Sequence, residues 1–211
     1  MIKLNNPSCN FNTGEYDSSS LYGVAIDNSI NKGLVSSWQS KTPMTHITTG
    51  GLGFSIGTKG YVCGGYNRSS YLNTVLEYDS LTDTWSTKAS MNSVRRGGAS
   101  FSISGKGYVV GGEITIGGTK TATVEMYDPD LNTWTPKASI STGRAYMASF
   151  VINGKGYIVG GEPVTNYVAM YDPDLDTWTA KAVQPTALIL QSGFSIGTKG
   201  YVCGGRNSVA T

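Results

Sequence analysis

A twelve-residue stretch, FSIGTKGYVCGG at 54–65, returns letter for letter at 194–205 and in edited form as FSISGKGYVVGG at 101–112 and FVINGKGYIVGG at 150–161. Self-similarity at a long period commits a chain to repeated supersecondary units that bury their apolar faces against one another. The second glycine of each closing pair is Gly65, Gly112, Gly161 and Gly205, so the steps are 47, 49 and 44 residues. Trp85, Trp134 and Trp178 follow the first three pairs, and Trp38 stands one period ahead of Trp85.

Each unit parses into four short strands, a to d. Leu52, Phe54 and Ile56 alternate with small or polar residues, as in a half-buried strand. Gly57-Thr58-Lys59-Gly60 is a tight turn into Tyr61-Val62-Cys63, predicting an a–b hairpin. Gly64 and Gly65 end strand b, where a positive φ or a close backbone approach is expected. After a polar loop, TVLEYD (74–79), TVEMYD (123–128) and YVAMYD (167–172) read as strand c. The turns SLTDT, PDLNT and PDLDT then lead into the tryptophan strand, d, with proline and aspartate supplying the turn chemistry.

A four-stranded unit with a Gly-Gly pair after strand b and a Trp seven residues beyond a Tyr resembles the kelch repeat. The interval holds at Tyr78–Trp85, Tyr127–Trp134 and Tyr171–Trp178. Arg95 and Arg144, 16 residues before the first Gly of a pair, match the family's usual arginine, whereas Thr48 and Leu188 depart from it at the same offset. The resemblance implies an all-β fold, a kelch-type β-propeller of four-stranded antiparallel blades. Full repeats are expected at about 47–91, 92–140 and 141–184. A composite fourth blade would be closed by N- and C-terminal strands from 21–46 and 193–211, which hides exposed strand edges; the competing reading is an incomplete array. Residues 1–20 read as a polar tail. The repeated tyrosines and tryptophans are expected to pack the blades, being large and amphipathic.

Composition fits this reading. The 211 residues include 28 glycines and only 14% charged residues, against roughly 25% in ordinary domains. The net charge of +2 is scattered, with no basic run for nucleic acid. No apolar stretch approaches the roughly 18 residues of a membrane span, and MIKLNNPSCN lacks a signal-peptide core. The expected location is therefore the cytoplasm or a virion. Cys63 and Cys203 share a repeat position with Val110 and Val159, which predicts a small buried hydrophobe there. No cysteine spacing suits zinc, and no metal or cofactor is expected.

In a meander, b–c and d–a loops share one face of the ring, and these loops diverge between copies while the a–b and c–d turns stay alike. Divergent loops on a rigid scaffold suit recognition. The candidate ligand-binding face holds Tyr66, Arg68, Arg95, Arg96, Glu113, Arg144, Tyr146, Glu162 and Arg206, with arginine and tyrosine as favoured anchors. The expected function is a non-catalytic binding or assembly module contacting a protein, or second a glycan, with a homo-oligomer or a viral structural component as further expectations. The alternative is a kelch-type carbohydrate-active enzyme such as a sugar mutarotase, for which Glu113, Glu162 and Arg144 would supply the charged groups. His46 is the single histidine, too few for the copper set of proteins resembling galactose oxidase. Nor is there a G-x-S-x-G nucleophile context.

Overall fold

A computed structural model describes residues 23–26, 38–46, 48–116 and 118–207; the expected tail at 1–20 lies outside them. Every regular element among the described residues is a β-strand. The chain divides into two compact units at Ile47/Thr48. The first holds β1 (Gly23–Ile26) and β2 (Trp38–Lys41), an antiparallel pair with Gly23 opposite Lys41 and Ile26 opposite Trp38.

The second unit is built from repeats of the expected a–b–c–d meander. Its first sheet is β3 (Leu52–Ile56), β4 (Lys59–Tyr66), β5 (Tyr71–Asp79) and β6 (Thr84–Lys88). The next is β7 (Ala99–Ile103), β8 (Lys106–Val110), β9 (Val124–Asp128) and β10 (Thr133–Lys137). The third is β11 (Ala148–Ile152), β12 (Lys155–Val159), β13 (Val168–Asp172) and β14 (Thr177–Ala180). The hairpin β15 (Ile189–Ile196) and β16 (Lys199–Arg206) follows as the inner half of a fourth blade. The two ends expected to share that blade are thus each a two-stranded sheet, β1–β2 in one unit and β15–β16 in the other.

The a strands lie side by side in chain order, β3 beside β7, β7 beside β11, and β11 beside β15. Apolar side chains fill the spaces between successive blades. One cluster joins Leu52, Tyr61 and Cys63 of the first blade to Val109, Tyr127 and Trp134 of the second. Another joins Phe101, Tyr108 and Val110 to Ile158, Ala169 and Tyr171 of the third. Burying side chains of this size stabilises by about 1.5–3 kcal/mol each.

The glycine after the lysine repeated in each unit makes this approach possible. A Cβ on Gly107 would fall within the ring of Phe54, one on Gly156 within Phe101, and one on Gly200 within Phe150. Each of these phenylalanines stacks on the tyrosine across its hairpin, as in Phe54–Tyr61 at 5.1 Å. The Tyr–Trp interval sets cross-strand partners. Tyr78–Trp85, Tyr127–Trp134 and Tyr171–Trp178 have ring centroids 5.0 Å apart. The tyrosine hydroxyls donate to Asp83, Asn132 and Asp176 in the c–d turns, at 2.6, 2.8 and 2.6 Å. Trp134 Nε1 donates to the Ala89 carbonyl and Trp178 Nε1 to Ala138, both at 2.8 Å, tying each outer strand to the preceding blade.

Two features depart from the sequence reading. Cys63 is fully buried against the second blade, whereas Cys203 is exposed among the described residues. In the first blade β4 and β5 run further than their copies in the second and third blades and shorten the b–c loop to 67–70. The Asn67 side-chain oxygen accepts the Ser69 and Ser70 amides there, closing a tight turn.

Candidate functional site

The Gly-Gly pairs build the loop face. Gly64 and Gly65 have φ of 64° and 98°, a conformation side chains rarely adopt. The turn lets the Gly65 amide reach the Arg95 carbonyl of the next blade at 2.8 Å. The Gly112 amide reaches the Arg144 carbonyl at 2.7 Å in the same way. Behind the first three pairs, the chain bridges the neighbouring d–a loop: Thr49 pairs with Tyr66, Arg96 with Glu113 and Ala145 with Glu162. The b–c and d–a loops are therefore on one face, as expected from the meander.

At this face the start of β5 and two d–a loops converge on the Glu113 carboxylate. Tyr71 donates to Oε2 at 3.1 Å and Tyr146 at 2.9 Å, while Arg96 Nη1 stands 4.0 Å away. The Tyr146 hydroxyl is pushed up to about 12, first by burial and then by its bond to Glu113. The Arg96 guanidinium also lies 5.9 Å from the Tyr66 ring centre, and Tyr66 meets Tyr71 edge-on at 5.5 Å. Beside this cluster Lys120 pairs with Glu162 at 2.9 Å. Tyr66, Arg96, Glu113 and Tyr146 are thus brought together.

The other predicted residues divide. Arg68 and Arg206 are exposed. Arg95 is 0% exposed and offers nothing to a ligand. Its guanidinium donates to the Gly111 carbonyl at 2.9 Å and to Thr123 Oγ1 at 3.2 Å, and forms an ion pair with Glu125. Arg144 is also buried and lies over the Tyr167 ring, 4.3 Å from its centre. Both arginines organise the blade beneath the face. Tyr71 and Lys120 escaped the sequence reading because each occurs in one copy alone, with no counterpart to mark it.

The kelch motif is matched over residues 55–92 and 95–141. Residues 55–141 carry kelch repeats. Among matching solved structures is that of YjhT, with a TM-score of 0.73 and 17% identity over 82% of this chain; the match covers 63% of that chain. The likeness shows the kelch-propeller fold. No curated protein sequence matches significantly. Among the described residues no group of histidine, cysteine or carboxylate side chains could hold a metal ion, and no helix is long and apolar enough to cross a membrane.

Proposed function

We propose that this protein is a non-catalytic binding module whose loop face takes a protein segment bearing carboxylates. The observation that carries the reading is the gathering of Tyr71 at the start of β5 and of Arg96 and Tyr146 from two d–a loops around Glu113. Such a network rigidifies the surface before a partner arrives, which reduces the ordering cost of binding. On the b–c and d–a loops Arg68 and Arg206 are exposed and Arg96 partly so, while the carboxylates of Glu113 and Glu162 are already engaged by tyrosines and Lys120. The face therefore offers guanidinium forks and tyrosine edges, a chemistry suited to acidic partners.

Selection from a displayed peptide library tests the reading. Enriched peptides should carry Asp or Glu, and Arg96→Ala with Tyr66→Ala should weaken them at least about tenfold, the loss of a central anchor. Peptides that bind both proteins equally remove this face from the function. A glycan array run alongside reports the second ligand class. Catalysis is checked by polarimetry on free sugars: mutarotation that is abolished in Glu162→Gln would replace the binding reading with an enzymatic one. The satisfied state of both carboxylates argues for a structural use of them, since a general acid or base must have a reacting partner within reach.

A further inference from the structure

In the second blade a buried carboxylate, Glu125, is held by the d–a loop that precedes the blade. Arg95 forms an ion pair with it, and Asn92 donates its amide at 2.7 Å and its side-chain Nδ2 at 2.8 Å. The third blade repeats these donors but not the acceptor. Arg144 stands at the repeat position of Arg95 and Ser141 at that of Asn92, while Ala169 replaces Glu125 and Tyr167 replaces Thr123. The two loops are fixed alike: the Arg95 amide donates to the Leu72 carbonyl at 3.0 Å and the Arg144 amide to Thr121 at 3.2 Å. Both arginines bury an Nε that has no partner, but the terminal nitrogens of Arg95 reach Gly111, Thr123 and Glu125. Among the described residues no hydrogen bond or ion pair reaches the Arg144 guanidinium, which is 8% exposed and has the Tyr167 ring as its neighbour at 4.3 Å. A ring attracts the charge but offers the N–H groups no carbonyl or carboxylate oxygen. Buried charges are as a rule paired, because their desolvation is otherwise uncompensated.

We propose that the third blade binds a compact monovalent anion, chloride or the carboxylate of a small ligand, in the place that the Glu125 carboxylate takes in the second. Arg144 supplies the charge and a planar fork of donors, the chemistry that carboxylates and small anions select. The Ser141 amide and hydroxyl supply the further donors, as Asn92 does for Glu125. Ala169 leaves out the side chain that would otherwise compete, and Tyr167 forms a wall. Ser141 is exposed, which gives the ion a path from solvent. These residues belong to the third blade and the loop before it, with described sheets on either side, so the site does not depend on either end of the chain. It is also separate from the Glu113 cluster, and it stands or falls apart from the recognition of acidic peptides.

Urea unfolding of the full chain tests this, with sodium chloride or sodium formate raised from about 1 mM to about 1 M and ionic strength held constant by a bulky sulfonate salt. Above the dissociation constant, each tenfold rise in the bound anion should raise the wild type's folding constant about tenfold. A response to chloride identifies an inorganic ion, and a response to formate alone identifies the carboxylate of a ligand. Tyr167→Thr with Ala169→Glu rebuilds around Arg144 the set found in the second blade, and should flatten the response. Arg144→Leu, which brings in the residue type of Leu188 at the same repeat position, should flatten it too and serves if the double variant does not fold. A wild type that ignores both anions, because Tyr167 or another part of the chain suffices for the charge, overturns the proposal. So does a response of equal slope in Arg144→Leu.

Discussion

Arg95 and Arg144 occupy one repeat position but are neutralised differently, and the reason is visible across the sheet. Beside Arg95, strand c carries Glu125; the matching residue in the third blade is Ala169, and Arg144 turns instead to the face of Tyr167. In the first blade the pair of positions is Thr48 and Leu76, with no charge to satisfy. Burial pushes the Arg95 guanidinium down, and Glu125 opposes that. Removing one member of such a pair leaves a buried charge. Arg95→Met should therefore cost about 3–5 kcal/mol in urea unfolding, and adding Glu125→Leu should return most of it. Trp134→Phe gives a smaller, separate effect: loss of the bond to the Ala89 carbonyl should cost about 1 kcal/mol beyond the change in packing.

The a–b and c–d turns are kept alike because they carry a repeated ion pair. Lys106 bonds Asp128 at 2.8 Å and Lys155 bonds Asp172 at 2.6 Å, each lysine also reaching the turn aspartate two residues on. These lysines, with burial opposing, hold the Asp128 and Asp172 carboxyls below the usual aspartate range. A depressed native value stabilises the fold at pH above the unfolded value, about 3.9, and the contribution disappears as pH falls through the native value. The urea midpoint should accordingly fall between pH 5 and 2 in the wild type, by about a carboxylate's worth per pair. A Lys106→Met, Lys155→Met variant should show a shallower decline over that window.

Across the unit, one repeat position answers differently according to what faces it. Gly156→Val drives a branched side chain into the Phe101 ring and should lower stability by about 1–3 kcal/mol or more, the cost of overpacking. Gly60→Val, at the same place in the repeat, meets nothing within 4 Å among the described residues and should be nearly neutral. Thermal melts of the two variants check this. A comparable loss in both would mean that the glycine is needed by the strand itself and not by the neighbouring blade.

The number of strands per unit, their order, the Tyr–Trp partners and the shared face of the divergent loops were all legible in the repeat, because they follow from local alternation and turn chemistry copied at each period. Which loop residues are free was not. Arg95 and Arg96 are neighbours in sequence, yet one is clamped by Glu125 and the other stands beside Glu113. Likewise Cys63 and Cys203 have identical sequence surroundings and opposite exposure. Burial in a propeller is conferred by the adjoining blade, a surface far away along the chain, so identical segments acquire different environments only once the blades are stacked.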